Sequence, residues 1–554
     1  MSIPATIRPS VGQSLITKVS RLFNGTISDV LNELFQNARR AGASRIDVDV
    51  VQYENGPALF ITDDGIGIDN PASFVTLGQS GWNVEIARRE DPAGMGVFSL
   101  AGKRVTVRSF SKDANAGWTV TIPEDGWEGG VPLPVEPSSI QEGTQIIIAM
   151  PPAWLTDLNV KVQLAAQFFP LPVRFRGNLL PRTEFLENAH RVETWNGCRI
   201  GVYRADRVEL ADMWRINFHG IKVPCDMPKV SEIGTSFKWA VLIDIVDAPA
   251  LQLVLPARKE MVENAALEAL RVEAEAAIYR TIALESSHRL PFQHWQRAME
   301  LGINLPEASP WLHAWTPRSA EVRSRTGNER IESGPMIILF DHEPDIEQCA
   351  TPFLNQDSLG YIPVCEEDKF RGYGWYDRLP RIPDISFSIE LQDRHFNYSS
   401  DQTTPEDVES GRADNITMLV PVVRSAEFDE PFALLGFPLD MLVCANDSYC
   451  LDEAHVFVSK DAEVKPFALA ELIMACCFHY DEDSDCDCWD TQYRNFDRDA
   501  RNIANNILLG AEDALLEQIR SAFREDIQWL IPKDRCITLT ASTDNVSLSI
   551  ADAA

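Results

Sequence analysis

The chain of 554 residues carries 82 Asp and Glu against 50 Lys and Arg, a formal net charge of −32 at pH 7. Such a field disfavours unspecific adhesion to nucleic acid or to an anionic membrane. Hydrophobic residues at 45 % with 9 % aromatics exclude a disordered acidic chain and a fibrous one, and at about 150 residues per domain the length suggests three or four packed domains.

The first ten residues show neither a basic n-region nor an apolar h-region, and no signal peptide is expected. The longest apolar run, residues 467–478, is too short to cross a bilayer and contains Glu471. The 11 cysteines, spread unevenly from Cys198 to Cys536, fit reduced thiols better than a disulfide framework. A cytoplasmic protein without a membrane segment is the expectation.

Across residues 26–41, Val30, Leu31, Leu34, Phe35, Ala38 and Ala41 recur at intervals of three and four. That spacing is one face of a helix, which Thr26 or Ser28 can cap and Gly42 ends. Glu33 and Asn37 stand four apart on it, so both side chains leave from one face. A carboxylate and a carboxamide so placed can activate water and ligate a divalent ion, and they can equally be a solvated polar face. Residues 45–53 then alternate Ile46, Val48 and Val50 against Asp47, Asp49 and Val51, and 58–62 is a short apolar run. Both read as strands.

Asp63-Asp64-Gly65-Ile66-Gly67 follows directly. A carboxylate at a strand end can accept from an exocyclic base amine, and glycine lets backbone approach a ligand, although Asp and Gly also make ordinary turns. Gly94-Met95-Gly96 opens a helical stretch at Val97, and the N–H groups of such a start can cradle phosphate, while a plain loop uses the same glycines. With strands over 104–110 and 145–150, residues 1–155 make an α/β two-layer domain of helices and mainly antiparallel strands.

Residues 156–290 form a second region: a helix over 159–169, a turn at Gly177-Asn178, strands over 199–203, 214–218 and 239–245, and a long helix over 262–285. Pro306, Pro310 and Pro317 mark a boundary after it. Residues 291–554 show mixed patterns of unassigned fold with room for two subdomains, a helix over 500–524 and a terminal strand region over 536–550. Cys476, Cys477, His479, Cys486 and Cys488 lack the spacing of a zinc ribbon or finger. The acidic stretch 481–485 has Cys486 where a calcium loop needs Gly and Gln492 where it needs Glu, so it reads as a solvated loop.

Taken in order, Glu33-Leu-Phe-Gln-Asn37-Ala, Asp63-Asp-Gly-Ile-Gly67, Gly94-Met-Gly96-Val97-Phe-Ser and Glu142-Gly143-Thr144-Gln-Ile-Ile resemble the GHKL superfamily of ATPases, which holds DNA gyrase, the large heat-shock chaperones, histidine kinases and MutL-type proteins. The resemblance implies a Bergerat-type α/β sandwich that binds ATP and Mg²⁺, with Glu33 as general base and Asn37 as Mg²⁺ ligand. It implies that Asp63 reads the adenine amine with Thr144 in support, and that Gly65, Gly67, Gly94, Met95, Gly96 and Val97 line the pocket and phosphate lid. Within residues 68–92, the expected lid, Leu77-Gly78-Gln79-Ser80-Gly81 resembles a Gly/Ser turn of several members, which brings in Gly78 and Ser80. The family form Asn-Ala-x-Asp-Ala has Asp where this chain has Arg40.

More weakly, Val254-Leu-Pro-Ala-Arg258-Lys259-Glu260 resembles the end of a transducer domain, where Arg258, or Lys259 after it, would reach the γ-phosphate. ATP hydrolysis driving a conformational or homodimerisation cycle of a chaperone-like or clamp-like machine is the implied function. A protein client is its implied partner. The alternative is a non-catalytic ATP-sensing scaffold. Basic clusters at Arg39, Arg40 and Arg45 and at Lys103, Arg104 and Arg108 leave nucleic acid open as a partner despite the net charge.

Overall fold

The computed structural model describes residues 26–76, 82, 99–128, 132–206, 216–254, 260–322, 324–325, 329–354, 359–424, 433–446, 450–482 and 488–552, without the side chains of 525 and 526. It is a mixed α/β structure of two compact units, residues 1–306 and 307–554.

Helix α1 (Ile27–Arg40) opens the first unit. Its N-cap Thr26 accepts from the Asp29 N–H at 3.2 Å through Oγ1, and Ala41 closes it with Gly42 at φ 66° just beyond. Strands β1 (Ile46–Tyr53) and β2 (Gly56–Asp63) form a hairpin. They join β3 (Val105–Ser111), β4 (Ala116–Ile122), β5 (Val135–Ser138), β6 (Thr144–Ala149), β7 (Val173–Phe175) and β8 (Asn178–Leu179) in an eight-stranded sheet of order β5-β4-β3-β6-β2-β1-β7-β8. All pairings are antiparallel except β1 with β7. The sheet thus runs beyond residue 155 and takes in the turn at Arg176-Gly177, both at positive φ.

Residues that pair across strands share a face. Val48, Ile61, Ile146 and Val107 form one cross-strand row and Val50, Leu59, Ile148 and Val105 another. Leu31, Leu34, Phe35 and Ala38 of α1 pack on that face together with Leu158, Val162 and Ala166 of α2 (Leu158–Ala166). The outcome is helices over one face of a sheet, as the alternating apolar pattern of β1 requires.

A six-stranded sheet follows within the same unit. It comprises β9 (Arg191–Trp195), β10 (Cys198–Ala205), β11 (Ile216–Phe218), β12 (Ile221–Val223), β13 (Lys229–Ser231) and β14 (Lys238–Ile245). Leu267, Leu270, Ala274 and Ile278 of α3 (Ala265–Ile282), with Ala298 of α4 (Phe292–Glu300), bury its apolar face.

In the second unit a short pair, β15 (Leu312–His313) and β16 (Arg330–Ile331), precedes a parallel sheet of β17 (Met336–Leu339), β18 (Ile362–Cys365) and β19 (Arg381–Ile382). Helix α5 (Pro344–Leu354) follows β17. An antiparallel sheet of β20 (Ser386–Leu391), β21 (Arg394–Tyr398), β23 (Asn415–Val422) and β24 (Ala433–Pro438) and a smaller one of β22 (Gly411–Ala413), β25 (Met441–Cys444) and β26 (His455–Ser459) share one core with α5, α6 (Pro466–Cys477) and α7 (Trp489–Leu508). Cys476 and Cys477 are buried in it with Cys349 and Cys444, whereas Cys488 is exposed and Cys486 lies outside the described residues.

Two elements differ from the sequence reading. The helix expected over 500–524 is two helices, α7 and α8 (Ala511–Asp526), because Leu509 and Gly510 turn extended, with ψ 156° and 162°. The terminal strand is a hairpin of β27 (Arg535–Ala541) and β28 (Val546–Asp552), closed by Ser542 N–H donating to Asn545 O at 2.8 Å.

Candidate functional site

The row that ends the apolar face of the first sheet turns polar beyond Ile46. Ile46, Asp63, Thr144 and Ser109 lie side by side across β1, β2, β6 and β3, on the parity whose other members fill the core beneath α1. Asp63 Oδ1 accepts from the Gly65 N–H at 2.9 Å, and the Thr144 backbone also donates to this carboxylate. Burial pushes its pKa up to about 6; the Gly65 bond opposes this, the Asp64 charge adds to it, and the Thr144 bond opposes it again. Beside it, Thr144 and the fully buried Ser109 share a hydroxyl bond at 2.8 Å, and Ser109 Oγ accepts from Ile68 N–H at 2.9 Å.

Sequence motifs alone do not single out Ser109. Its signal is a hydroxyl on the inward parity of β3, where Val105 and Val107 are the neighbours on that face.

Asp64 has a different task. Its carboxylate accepts from Ser44 N–H at 2.7 Å, Ser44 Oγ at 2.5 Å, Arg45 N–H at 3.2 Å and the Arg45 guanidinium at 3.3 Å. Burial opposes ionisation, but the bonds from Ser44 and Arg45 outweigh it and hold the pKa below the usual carboxylate range. This aspartate therefore ties the α1–β1 turn to the end of β2.

The two glycines answer to close packing of the chain on itself. A Cβ on Gly65 would sit 2.6 Å from Ala41 Cβ, and one on Gly67, at φ 78°, would sit 2.1 Å from Phe110 O. With Ile66 N–H donating to Ala41 O at 2.9 Å, this loop is fastened to the C-terminal end of α1. Beyond it, Trp118 Nε1 donates to Ile68 O at 2.8 Å, and Ser111 Oγ donates to Asp69 Oδ1 at 3.1 Å.

On α1, Glu33, Asn37 and Arg40 lie at intervals of four and three, each half-buried, along one stripe beside the buried face. Arg40 Nη1 donates to Asn37 Oδ1 at 3.1 Å. Gly78, Ser80, Gly94, Met95, Gly96, Val97, Arg258 and Lys259 lie outside the described residues. Just after the glycine-rich turn, the Ser99 hydroxyl is buried without a hydrogen-bond partner among the described residues, and Lys103 Nζ donates to Ser99 O at 3.2 Å.

The opposite face of the sheet carries a cleft of about 270 Å³ lined by Arg45, Asp47, Thr62, Arg108 and Gln145, among others. Asp47, Thr62, Gln145 and Arg108 pair across β1, β2, β6 and β3 on the parity opposite to Asp63, and Asp63 and Asp64 at the end of β2 also line the cleft.

For an adenine nucleotide the described residues fit. Asp63 is a half-buried acceptor whose charge desolvation makes costly, and Ser99, at the end of the stretch that would meet phosphate, has a buried hydroxyl with no partner among the described residues. For Mg²⁺ they do not. A small hard cation takes oxygen ligands and waters in an octahedron, and the one protein oxygen nominated here, Asn37 Oδ1, already accepts from the Arg40 guanidinium. Among the described residues no three His, Cys, Asp or Glu side chains gather as a metal site.

No family model matches the chain, and no curated protein matches it either. Among solved structures it is similar to the ATPase region of Saccharomyces cerevisiae topoisomerase II, with a TM-score of 0.32 and 11% identity over 51% of this chain and 85% of that one. It is similar also to that region bound to ICRF-187 (dexrazoxane), with a TM-score of 0.32 and 11% identity over 50% of this chain and 83% of that one. A likeness of this extent carries no weight for fold or activity. Among the described residues no helix is long and apolar enough to cross a membrane.

Proposed function

We propose that α1 and the first sheet form an adenine-nucleotide site and that the chain is an ATP-hydrolysing protein whose nucleotide state drives a conformational cycle. The observation that carries this reading is Asp63: a half-buried carboxylate whose pKa desolvation pushes up to about 6, set in a row with the buried Thr144 and Ser109 at the edge of an apolar core. A charge kept at that cost is matched by a donor, and an exocyclic amine supplies one without a counter-charge.

In this reading Glu33 takes the proton of the attacking water. Gly65 and Gly67 shape the pocket floor, Gly78, Ser80 and the stretch Gly94, Met95, Gly96 and Val97 contact phosphate, and Arg258 or Lys259 reaches the γ-phosphate. A homodimer that closes on ATP, acting on a protein client, is the corresponding machine. Phosphate release tests turnover: the wild type releases phosphate from ATP, and Glu33→Ala lowers the rate by about 100-fold or more. Equal rates for the two contradict hydrolysis.

One observation favours a second reading. Because Arg40 holds the Asn37 oxygen, the site is also suited to ATP binding without turnover, which would make the chain a scaffold whose nucleotide state controls partner docking. Near-zero phosphate release with retained ATP binding selects this reading.

A further inference from the structure

Resting on the nucleotide reading, we propose that Arg40 is a phosphate-binding residue of the site and takes the charge-neutralising place of a divalent cation beside Asn37, so that the chain binds a nucleoside triphosphate without a metal. Arg40 stands one turn beyond Asn37 on the stripe that begins at Glu33, and its Nη1 reaches Asn37 Oδ1 at 3.1 Å. An amide oxygen that accepts from a guanidinium has its dipole turned toward a positive charge. A divalent ion on the same oxygen would sit against that charge and be repelled by it. The guanidinium brings what the ion would bring, positive charge beside the phosphates, and adds a planar fork of donors that matches two phosphate oxygens at once.

Its neighbour Arg39 is turned elsewhere, with Nε donating to Gln36 Oε1 at 3.3 Å, while Gln36 itself is buried and donates to His219 O at 2.7 Å. The two adjacent arginines therefore divide: Arg39 lies on the side of α1 that meets the β11–β12 turn, and Arg40 lies on the Asn37 side. The loop Asp63–Gly67 is fastened to Ala41, the residue after Arg40, so Arg40 stands where the nominated base-reading loop and the nominated phosphate face meet.

The test is equilibrium binding of a fluorescent ATP analogue to the full chain, read by anisotropy in Mg²⁺ and in EDTA, for wild type, Arg40→Ala, Arg40→Lys and Arg40→Asp. The wild type should bind with an affinity that changes less than about threefold on metal removal. Arg40→Ala should lose about tenfold to a hundredfold in EDTA, the loss of a charge-assisted bidentate contact, with Arg40→Lys in between. Arg40→Asp should bind only when Mg²⁺ is present. Far-UV circular dichroism and a thermal melt of each variant separate lost binding from lost fold.

Wild-type binding that collapses in EDTA overturns the proposal and leaves the nucleotide site standing. Arg40→Ala that is folded and binds like the wild type in EDTA overturns it as well. If the wild type binds no nucleotide in either buffer, or if Asp63→Asn binds as tightly as the wild type, it is the nucleotide reading that fails, and the role of Arg40 falls with it.

Discussion

Asp63 and Asp64 are adjacent, identical in chemistry and opposite in environment. Asp64 is stabilised as an anion by four bonds from Ser44 and Arg45, whereas burial raises Asp63 to about 6. The native state therefore binds the Asp63 proton more tightly than the unfolded chain does. Between about pH 4 and pH 6 the folded protein holds a proton that the unfolded chain has released, so this group's contribution to stability falls as pH rises through that window. The loss reaches up to about 3 kcal/mol above it. Asp63→Asn keeps the acceptor for Gly65 and removes the titration. Denaturant unfolding of wild type and variant from mildly acid to neutral pH should show the variant gaining relative stability as pH rises. A difference that does not vary with pH contradicts the desolvated-carboxylate account. The motif itself, carboxylate then glycines after an apolar run, was legible in the sequence. Which aspartate would be raised by desolvation was not, because Asp64 is rescued by its bonds to Ser44 and Arg45 while Asp63 sits in the Ile46–Asp63–Thr144–Ser109 register, which joins strands far apart in the chain.

At the scale of elements, local signals were good where a single stripe or alternation decides the structure. The face of α1, its Thr26 cap and the inward parity of β1 followed from spacing alone. The long helix expected across Gly510 broke there because apolar periodicity resumes in α8 and hides a two-residue extended link. Parallel pairing of β7 with β1 was not legible, since it is set by α2 crossing the sheet rather than by either strand's own pattern. Nor was the charge network of α5 foreseen. Glu347 is fully buried yet accepts from Arg318 N–H at 2.8 Å, Arg318 Nε at 3.1 Å, two Arg325 nitrogens at 2.9 and 3.0 Å and His342 N–H at 3.1 Å. Removing one partner of such a set strands the others. Glu347→Ala should lower the unfolding free energy by about 3–5 kcal/mol in a denaturant titration. A change below about 1 kcal/mol would show that the two arginines do not depend on it.

Over the whole molecule the charge of −32 is unevenly held. Residues 401–500 carry 23 acidic against 6 basic residues, and the first 150 carry 17 against 12. The basic clusters that left nucleic acid open as a partner are largely engaged within the fold. Arg45 pairs with Asp47 and Asp64, Arg39 with Gln36, Arg40 with Asn37, and Arg108 bonds Gln145. Lys103 is half-buried over the Trp154 ring, and burial lowers its pKa. These contacts favour a small anionic ligand held by few groups over a long polyanion held by many.

The central claim is that Asp63 reads a nucleotide base, and the direct measurement is calorimetric titration of ATP into wild type and into Asp63→Asn at neutral pH, with folding of both confirmed by circular dichroism. The predicted result is saturable binding to the wild type, and loss of about 1.5–3 kcal/mol or more for a variant that is as stable as the wild type or more so. Equal binding by the two folded proteins, or no binding by the wild type, would contradict it.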